Sequence, residues 1–590
     1  MRSYLPLLRE IVGFLRWRFP ALIALMALVG ISEGFSVSLL LPLLSRMGIG
    51  LSGKQDMLSA WLDRAIEFIS PSAGPLTLLG IVAAVATLQA ALFIALNWWT
   101  TGLVRRYQRH RQSQMFSAFI RAKWTFLVDR KSGELTNAIV NESLRLAQAF
   151  SYCLYLISAS VVALIYLIFA FLVAWPIAAA LIVVSLLMTL SVTKVYRKSM
   201  AVGRSISPLN AELQTALGEF LSGAKIVKST TSESRAEARV DDLARKLEHA
   251  NHIANFLPNM VRALFEFLAF IFLATILVFG KEGFGIGVGN IIVVIALFVR
   301  LFPRVSTVQV YIHHLNSNLP SIETINSLVA AAQSEAEPIG DQTRELPLTL
   351  PTALVVRGLT VTLGGRSVLD NVDLRVAMPG MVGVIGGSGA GKSTLVHAVL
   401  GLVPVGAGSI ALGPHDLASS SLPAWRRTIG YVPQETMLFH ASVRDNLTFA
   451  DPDASDADVE VAARRAHAQE FINELPQGYH TIIGDQGVRL SGGQRQRLGI
   501  ARALLTNPKL LMLDEAMSAL DAEAEAMLVL TLEELRTEMG ILVITHRLGA
   551  VRNADLICVL DAGRIVEAGS WNELLASRSR LHALVESQQS

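Results

Sequence analysis

The residues best suited to chemistry lie between positions 386 and 515. Gly386-Gly387-Ser388-Gly389-Ala390-Gly391-Lys392-Ser393-Thr394 follows the apolar run Val382-Gly383-Val384-Ile385. This is G-x-x-x-x-G-K-S between a strand and a helix, a spacing suited to holding phosphate. Its glycines let the backbone curl until successive N–H groups face phosphate oxygens. The helix that follows adds its positive end. Lys392 is placed to reach the β- and γ-phosphates, and Ser393 to ligate Mg²⁺. Further on, Leu510-Leu511-Met512-Leu513-Asp514-Glu515 reads as an apolar strand ending in two carboxylates. Asp514 suits Mg²⁺, directly or through water. Glu515 suits the polarisation of an attacking water. Alone, this run could be a strand ending in a solvated acidic turn. The phosphate loop before it, in the right order, favours nucleotide hydrolysis.

These motifs sit in a chain of 590 residues and 63.9 kDa with 52% hydrophobic and only 17% charged residues. An ordinary soluble domain carries about 25% charged residues. Together with a mean hydropathy of +0.46, the composition excludes a disordered chain, a coiled coil and a fully soluble enzyme. The net charge is +3, and nucleic acid is not expected as a partner. Cys153 and Cys558 lie far apart without metal or redox neighbours, which excludes a disulfide scaffold.

Apolar residues concentrate in six stretches, about 19–44, 76–99, 151–173, 176–194, 256–280 and 286–309. Each is near the ~20 residues that span a bilayer as helix. Residues 1–18 read as a basic amphipathic helix on the membrane surface rather than a cleaved signal peptide, because Arg9, Arg16 and Arg18 interrupt the apolar run. Lys and Arg gather before the first stretch and after the second and fourth, at Arg105, Arg106, Arg109 and Arg111, then at Lys194, Arg197 and Lys198. That bias predicts six spans with both termini cytoplasmic. The intervening segments 100–150 and 195–255 keep helical spacing, so the membrane helices are expected to continue below the bilayer. Residues 19–330 thus read as an all-α transmembrane domain. Residues 331–350, with Pro338, Gly340 and Pro347, read as a linker, and 351–590 as an α/β domain with a mostly parallel sheet.

Leu490-Ser491-Gly492-Gly493-Gln494 completes a set. With the phosphate loop and the Asp514-Glu515 pair in order, the chain resembles an ATP-binding cassette (ABC) transporter, specifically an exporter-type half-transporter. The resemblance covers essentially the whole chain. It implies a multi-domain membrane protein with a six-helix transmembrane domain and a P-loop nucleotide-binding domain. It implies ATP and Mg²⁺ as ligands and alternating access in a dimer. Each nucleotide would lie between one chain's phosphate loop and the other's Ser491, Gly492, Gly493 and Gln494. By resemblance, Gln434 in Tyr431-Val432-Pro433-Gln434 senses Mg²⁺, and Asp521 in Ser518-Ala519-Leu520-Asp521 belongs to a loop that crosses to the partner. His546 in Ile544-Thr545-His546-Arg547 contacts the γ-phosphate, and Thr481 through Gly487 touches the partner's cytoplasmic loops. Turns near Leu127–Gly133 and Ser229–Glu233 resemble coupling helices. The family usually stacks adenine on an aromatic residue, but Leu363 stands at that position here. Weaker, less adenine-selective binding is expected unless Arg366 covers the ring.

Ionisable residues inside spans point to function. Glu33 lies in the first, Glu266 in the fifth beside Arg262, and Arg300 and Arg304 in the sixth. Glu266 and Arg300 fall at similar depth and are expected to pair or to face one another across a cavity. Both signs together fit an amphipathic or zwitterionic cargo: a lipid, lipid-linked glycan, peptide or drug-like molecule. The resemblance implies ATP-driven export or flipping in a homodimer, with a heterodimer open, in a membrane read as bacterial inner membrane. A siderophore-type importer on the same fold and an ATP-gated channel or regulator stand as alternatives.

Overall fold

The structure is a computed structural model and describes residues 5–39, 64, 75–191, 193–284, 288–338, 346–347, 352–484, 490–517, 522–576, 580–582 and 585. The chain forms two compact units, Met1–Ala122 with Phe126–Ala336, and Lys123–Thr125 with Glu337–Ser590.

The first unit is helical. Helix α1 (Leu5–Leu15) puts Leu7, Ile11 and Leu15 on one buried face and leaves Arg9 in the open, the amphipathic pattern expected of this segment. After α2 (Arg18–Ser38) come α3 (Pro75–Ile120) and the short α4 (Trp124–Val128), whose first two residues are counted in the second unit. Next are α5 (Ser132–Asn137), a π-helical turn Ala138–Glu142, α6 (Ser143–Ser191) and α7 (Thr193–Ser222). The series ends with α8 (Ala224–Ser229), α9 (Glu233–Phe284) and α10 (Val288–Ser334). Four of these helices hold 46 to 52 residues. At 1.5 Å per residue they reach about 70–80 Å, more than twice the ~30 Å hydrocarbon core.

Among the described residues, three helical stretches are long and apolar enough to cross a membrane: Arg18–Ser36, Leu79–Ile120 and Gly133–Ile168. The fourth to sixth expected stretches fall on α6, α9 and α10, where most side chains lie outside the described residues. The break expected between the stretches 151–173 and 176–194, at Trp175-Pro176, falls inside α6, which is continuous from Ser143 to Ser191. Residues 151–191 hold no glycine to break the helix. The short helices α4 and α8 stand a few residues ahead of the turns expected at Leu127–Gly133 and Ser229–Glu233. The linker also begins later than residue 331: Ala331-Ala332-Gln333 extend α10 to Ser334, and Ala332 is buried. Alanine favours helix, and Pro338 follows its end.

In the second unit, strands β1 (Thr352–Leu363), β2 (Arg366–Met378), β4 (Ala407–Leu412) and β5 (His415–Asp416) form an antiparallel sheet in the order β2-β1-β4-β5. Strands β3 (Gly380–Gly386), β6 (Ile429–Val432), β7 (Leu510–Asp514), β8 (Gly540–Ile544), β9 (Leu556–Asp561) and β10 (Arg564–Gly569) form the larger sheet, in the order β10-β9-β3-β8-β7-β6. All of its described pairs are parallel except β9 with β10. Alternate side chains enter two different cores. Leu511, Leu513, Ile541 and Val543 join one, and Leu510, Met512, Leu542 and Ile544 join the other. A sheet buried on both faces explains why these strands read as unbroken apolar runs.

Candidate functional site

Ligand sites in open parallel sheets lie beyond the carboxyl ends of the strands. Here β3 ends in the phosphate loop, β7 in Asp514-Glu515, β8 in Thr545-His546, and β6 runs into Gln434. The parallel pairing Asp514↔Ile544 brings two of these ends level. The backbone N–H of Thr545 donates to Val384 O at 3.1 Å, tying the histidine loop to the strand that feeds the phosphate loop. Gly389 (φ 77°) and Gly391 (φ 105°) hold left-handed conformations that side chains resist, and a Cβ on Gly391 would also strike Leu369. Gly391 caps α11 (Lys392–Val399).

The resulting cleft of about 560 Å³ is lined by Gly386 to Gly389, Gly391 to Thr394, Gln434, Glu515, His546 and three apolar residues, Val368, Ile385 and Leu548. Lys392 is buried and donates to Gly386 O at 3.0 Å and Gly387 O at 3.1 Å, with Glu515 Oε1 at 3.2 Å. Gln434 Nε2 donates to Glu515 Oε2 at 3.2 Å, and His546 Nδ1 lies 3.7 Å from the same oxygen. Glu515 itself sits at φ 48°, an uncommon region for a side-chain-bearing residue, and its N–H donates to Ile544 O at 2.7 Å. Such backbone strain clusters at functional sites.

Asp514 ends β7 with only 6% of its surface exposed. Burial and the neighbouring Glu515 charge push its carboxyl up to about 6, against the opposing pull of Lys392 and the Tyr431 hydroxyl. Burial, with the charge and hydrogen bond of Asp514, in turn pushes the Tyr431 phenol up to about 12. Asp514 Oδ1 is buried without a hydrogen-bond partner among the described residues. A hard cation suits such an oxygen, and the Ser393 hydroxyl and the Gln434 amide carbonyl are oxygen donors of the same kind. The residues present therefore fit Mg²⁺.

Sequence reasoning missed Tyr431. No local pattern marks it: Tyr431 comes to Asp514 only through strand pairing, opposite Met512 on β7, two residues before Asp514. Leu363 does not line the cleft. It is half-buried against the sheet core and pairs across a tight hairpin with the exposed Arg366. Ser491, Gly492, Gly493 and Gln494 also stand outside the lining. They open α12 (Gly492–Leu505) as a capping box, in which Ser491 Oγ accepts from Gln494 N at 3.2 Å and Gln494 Oε1 accepts from Ser491 N at 3.0 Å. Asp521 and residues 485–487 lie outside the described residues.

In the helical unit, the three expected cavity residues have separate settings. Glu33, 4% exposed, accepts from Arg304 Nη2 at 2.8 and 3.1 Å and from the Tyr166 hydroxyl at 3.2 Å, joining α2, α6 and α10. Glu266 accepts from Arg262 Nε at 2.8 Å, so the pair described for it is intrahelical, on α9, at the surface of the helical unit. Arg300 lies on α10, and its side chain is outside the described residues.

Comparison with known proteins adds family to geometry. Residues 369–518 match the ABC transporter family model, and residues 57–304 match that of the ABC transporter transmembrane region. The ATP-dependent lipid A-core flippase of Syntrophus aciditrophicus is 33% identical over 417 residues, covering 70% of this chain and 69% of the flippase. The heterocyst differentiation ATP-binding protein HepA of a Nostoc species is 27% identical over 586 residues, 98% of this chain and 94% of HepA. A solved bacterial Atm1-family ABC exporter with ATP bound superposes with a TM-score of 0.79 at 23% identity, covering 98% of this chain and 100% of that one, which shows the fold. Motifs, cleft and matches agree: the chain belongs to the ABC transporter family, as an exporter whose cassette couples ATP hydrolysis to transport across a membrane.

Proposed function

We propose that the chain is a homodimeric half-transporter that exports or flips an amphipathic substrate across a bacterial inner membrane, with both termini cytoplasmic. The observation that carries this reading is the convergence of Lys392, Gln434, Glu515 and His546 on one cleft, with Asp514 behind it. Lys392 draws the β- and γ-phosphates into the curl of Gly386–Gly391. Glu515 polarises the attacking water, oriented by Gln434 and His546, whose side chains reach its Oε2. Mg²⁺, when bound by Ser393, Gln434 and Asp514, would neutralise phosphate charge. The partner's Ser491 would close the nucleotide against this loop, so that ATP binds the closed dimer better than the open one and shifts the equilibrium by that difference. Relatives named as lipid flippases support an amphipathic cargo.

The test is Glu515→Gln in proteoliposomes. Hydrolysis should fall about 10²- to 10⁴-fold, the usual contribution of a positioned base, while ATP binding persists. Near-normal turnover in this variant would remove Glu515 from the chemistry.

A further inference from the structure

A second cavity, of about 290 Å³, opens within the helical unit, remote in sequence from the nucleotide cleft. Its walls come from four helices and the π-helical turn, and each helix contributes residues four apart. Tyr152 follows Gln148 on α6, Asn210 follows Ile206 on α7, Asn255 follows Asn251 on α9, and Asn318 follows His314 on α10. Residues at i and i+4 share a helix face, so four faces turn toward one space. What they present is unusual for a helix bundle: the carboxamides of Asn141, Gln148, Asn210, Asn251, Asn255 and Asn318.

Some of these amides are already engaged. Asn141 Nδ2 donates to Asn137 Oδ1 at 3.0 Å, and Asn318 Nδ2 donates to His314 O at 2.8 Å. Among the described residues, the side chains of Gln148, Asn210, Asn251 and Asn255 make no hydrogen bond to protein. The cavity carries little net charge. The Arg145 guanidinium donates to Ser317 O at 2.9 Å and to the Ser207 hydroxyl, and it lies 3.6 Å from the fully buried Glu142. Burial pushes the His314 imidazole down from its ordinary value, which favours its uncharged form. An aromatic row borders the amides: Tyr152 stacks on His314 at 4.8 Å, and Tyr155 stacks on Tyr311 at 5.5 Å.

A carboxamide both donates and accepts. So does a hydroxyl, whereas phosphate and carboxylate only accept and call for cations. We propose that this cup binds the neutral, hydroxyl-rich sugar head of a lipid-linked glycan, with the Tyr152–His314 stack as a flat wall for a sugar ring. The inference rests on the transport reading above and names the chemistry of its cargo.

The test uses the full chain in nanodiscs and native mass spectrometry. The probes are a diacylglycerol bearing a neutral disaccharide, the same lipid with a phosphate head, and the headless diacylglycerol. The disaccharide lipid should bind at least tenfold tighter than the other two. Asn251→Ala and Asn255→Ala should each weaken it about three- to tenfold, the loss expected for one neutral hydrogen bond. Tyr152→Phe should bind as wild type and Tyr152→Ala should not, since only the ring is needed. Equal binding of all three lipids, preference for the phosphate head, or unchanged affinity in the asparagine variants would overturn the assignment. ATP hydrolysis by the same wild-type sample separates the two claims. A chain that hydrolyses ATP but ignores the sugar head refutes the cup alone. A chain that binds the sugar lipid without hydrolysing ATP refutes the transport reading alone.

Discussion

At the scale of single residues, Asp514 makes the sharpest statement. Its carboxyl titrates near 6 in the fold, against about 3.9 in an open chain. The folded state therefore holds this proton more tightly than the unfolded state does. Its contribution to stability falls as pH rises from about 4 to 6 and stays at its lowest above that. A cation at Oδ1 offsets this penalty only where the carboxylate is ionised. Stabilisation by Mg²⁺ with a nucleotide should thus grow between about pH 5 and 7 in thermal melts. Asp514→Asn should flatten that rise. A pH-independent magnesium effect in the wild type would show that Asp514 is not the ligand. At this scale the sequence was legible where chemistry is contiguous: residues 386–394 carry their own geometry. The role of Tyr431 was not legible, because its hydroxyl meets Asp514 only after two strands pair.

Among the elements, α12 shows how one motif does two jobs. Ser491 and Gln494 cap the helix reciprocally, and a lost serine cap costs about 1 kcal/mol. Ser491→Ala should lower the melting temperature by only a few degrees. If the same serine also closes on a nucleotide in the dimer, ATP hydrolysis should drop far more than stability does. Parallel losses in melting and turnover would leave the motif a cap and nothing else. The helix faces were legible by their spacing, as Leu7, Ile11 and Leu15 show. Ion-pair partners were not. Glu33 and Arg304 stand 271 positions apart, and no local pattern announces which of several charges a buried carboxylate will find. Glu266 is the opposite case: its described partner Arg262 stands four residues away, a spacing visible in the sequence. The reach of α6 through Pro176 also escaped sequence reasoning, because a proline favours a turn there without requiring one.

For the whole molecule, the signature residues stand outside the cleft of their own chain, so the proposed homodimer is to be tested as a composite. Lys392→Ala and Ser491→Ala chains should each be inactive as homodimers. Mixed before reconstitution, they should recover measurable ATP hydrolysis, because in the proposed dimer one of the two shared sites would then have both halves intact. No recovery in verified mixed dimers would mean that the sites act only as a pair or are not shared.

Lys392 carries three N–H bonds, and Gly386 O, Gly387 O and Glu515 Oε1 lie within 3.2 Å to take them. A phosphate that recruits this ammonium must compete with the carboxylate on its flexible stem more readily than with the fixed carbonyls. On the proposed reading of Glu515 as the base, the lysine would act as an interlock: the base would idle while clamped and be released by the arrival of the fuel it is meant to burn.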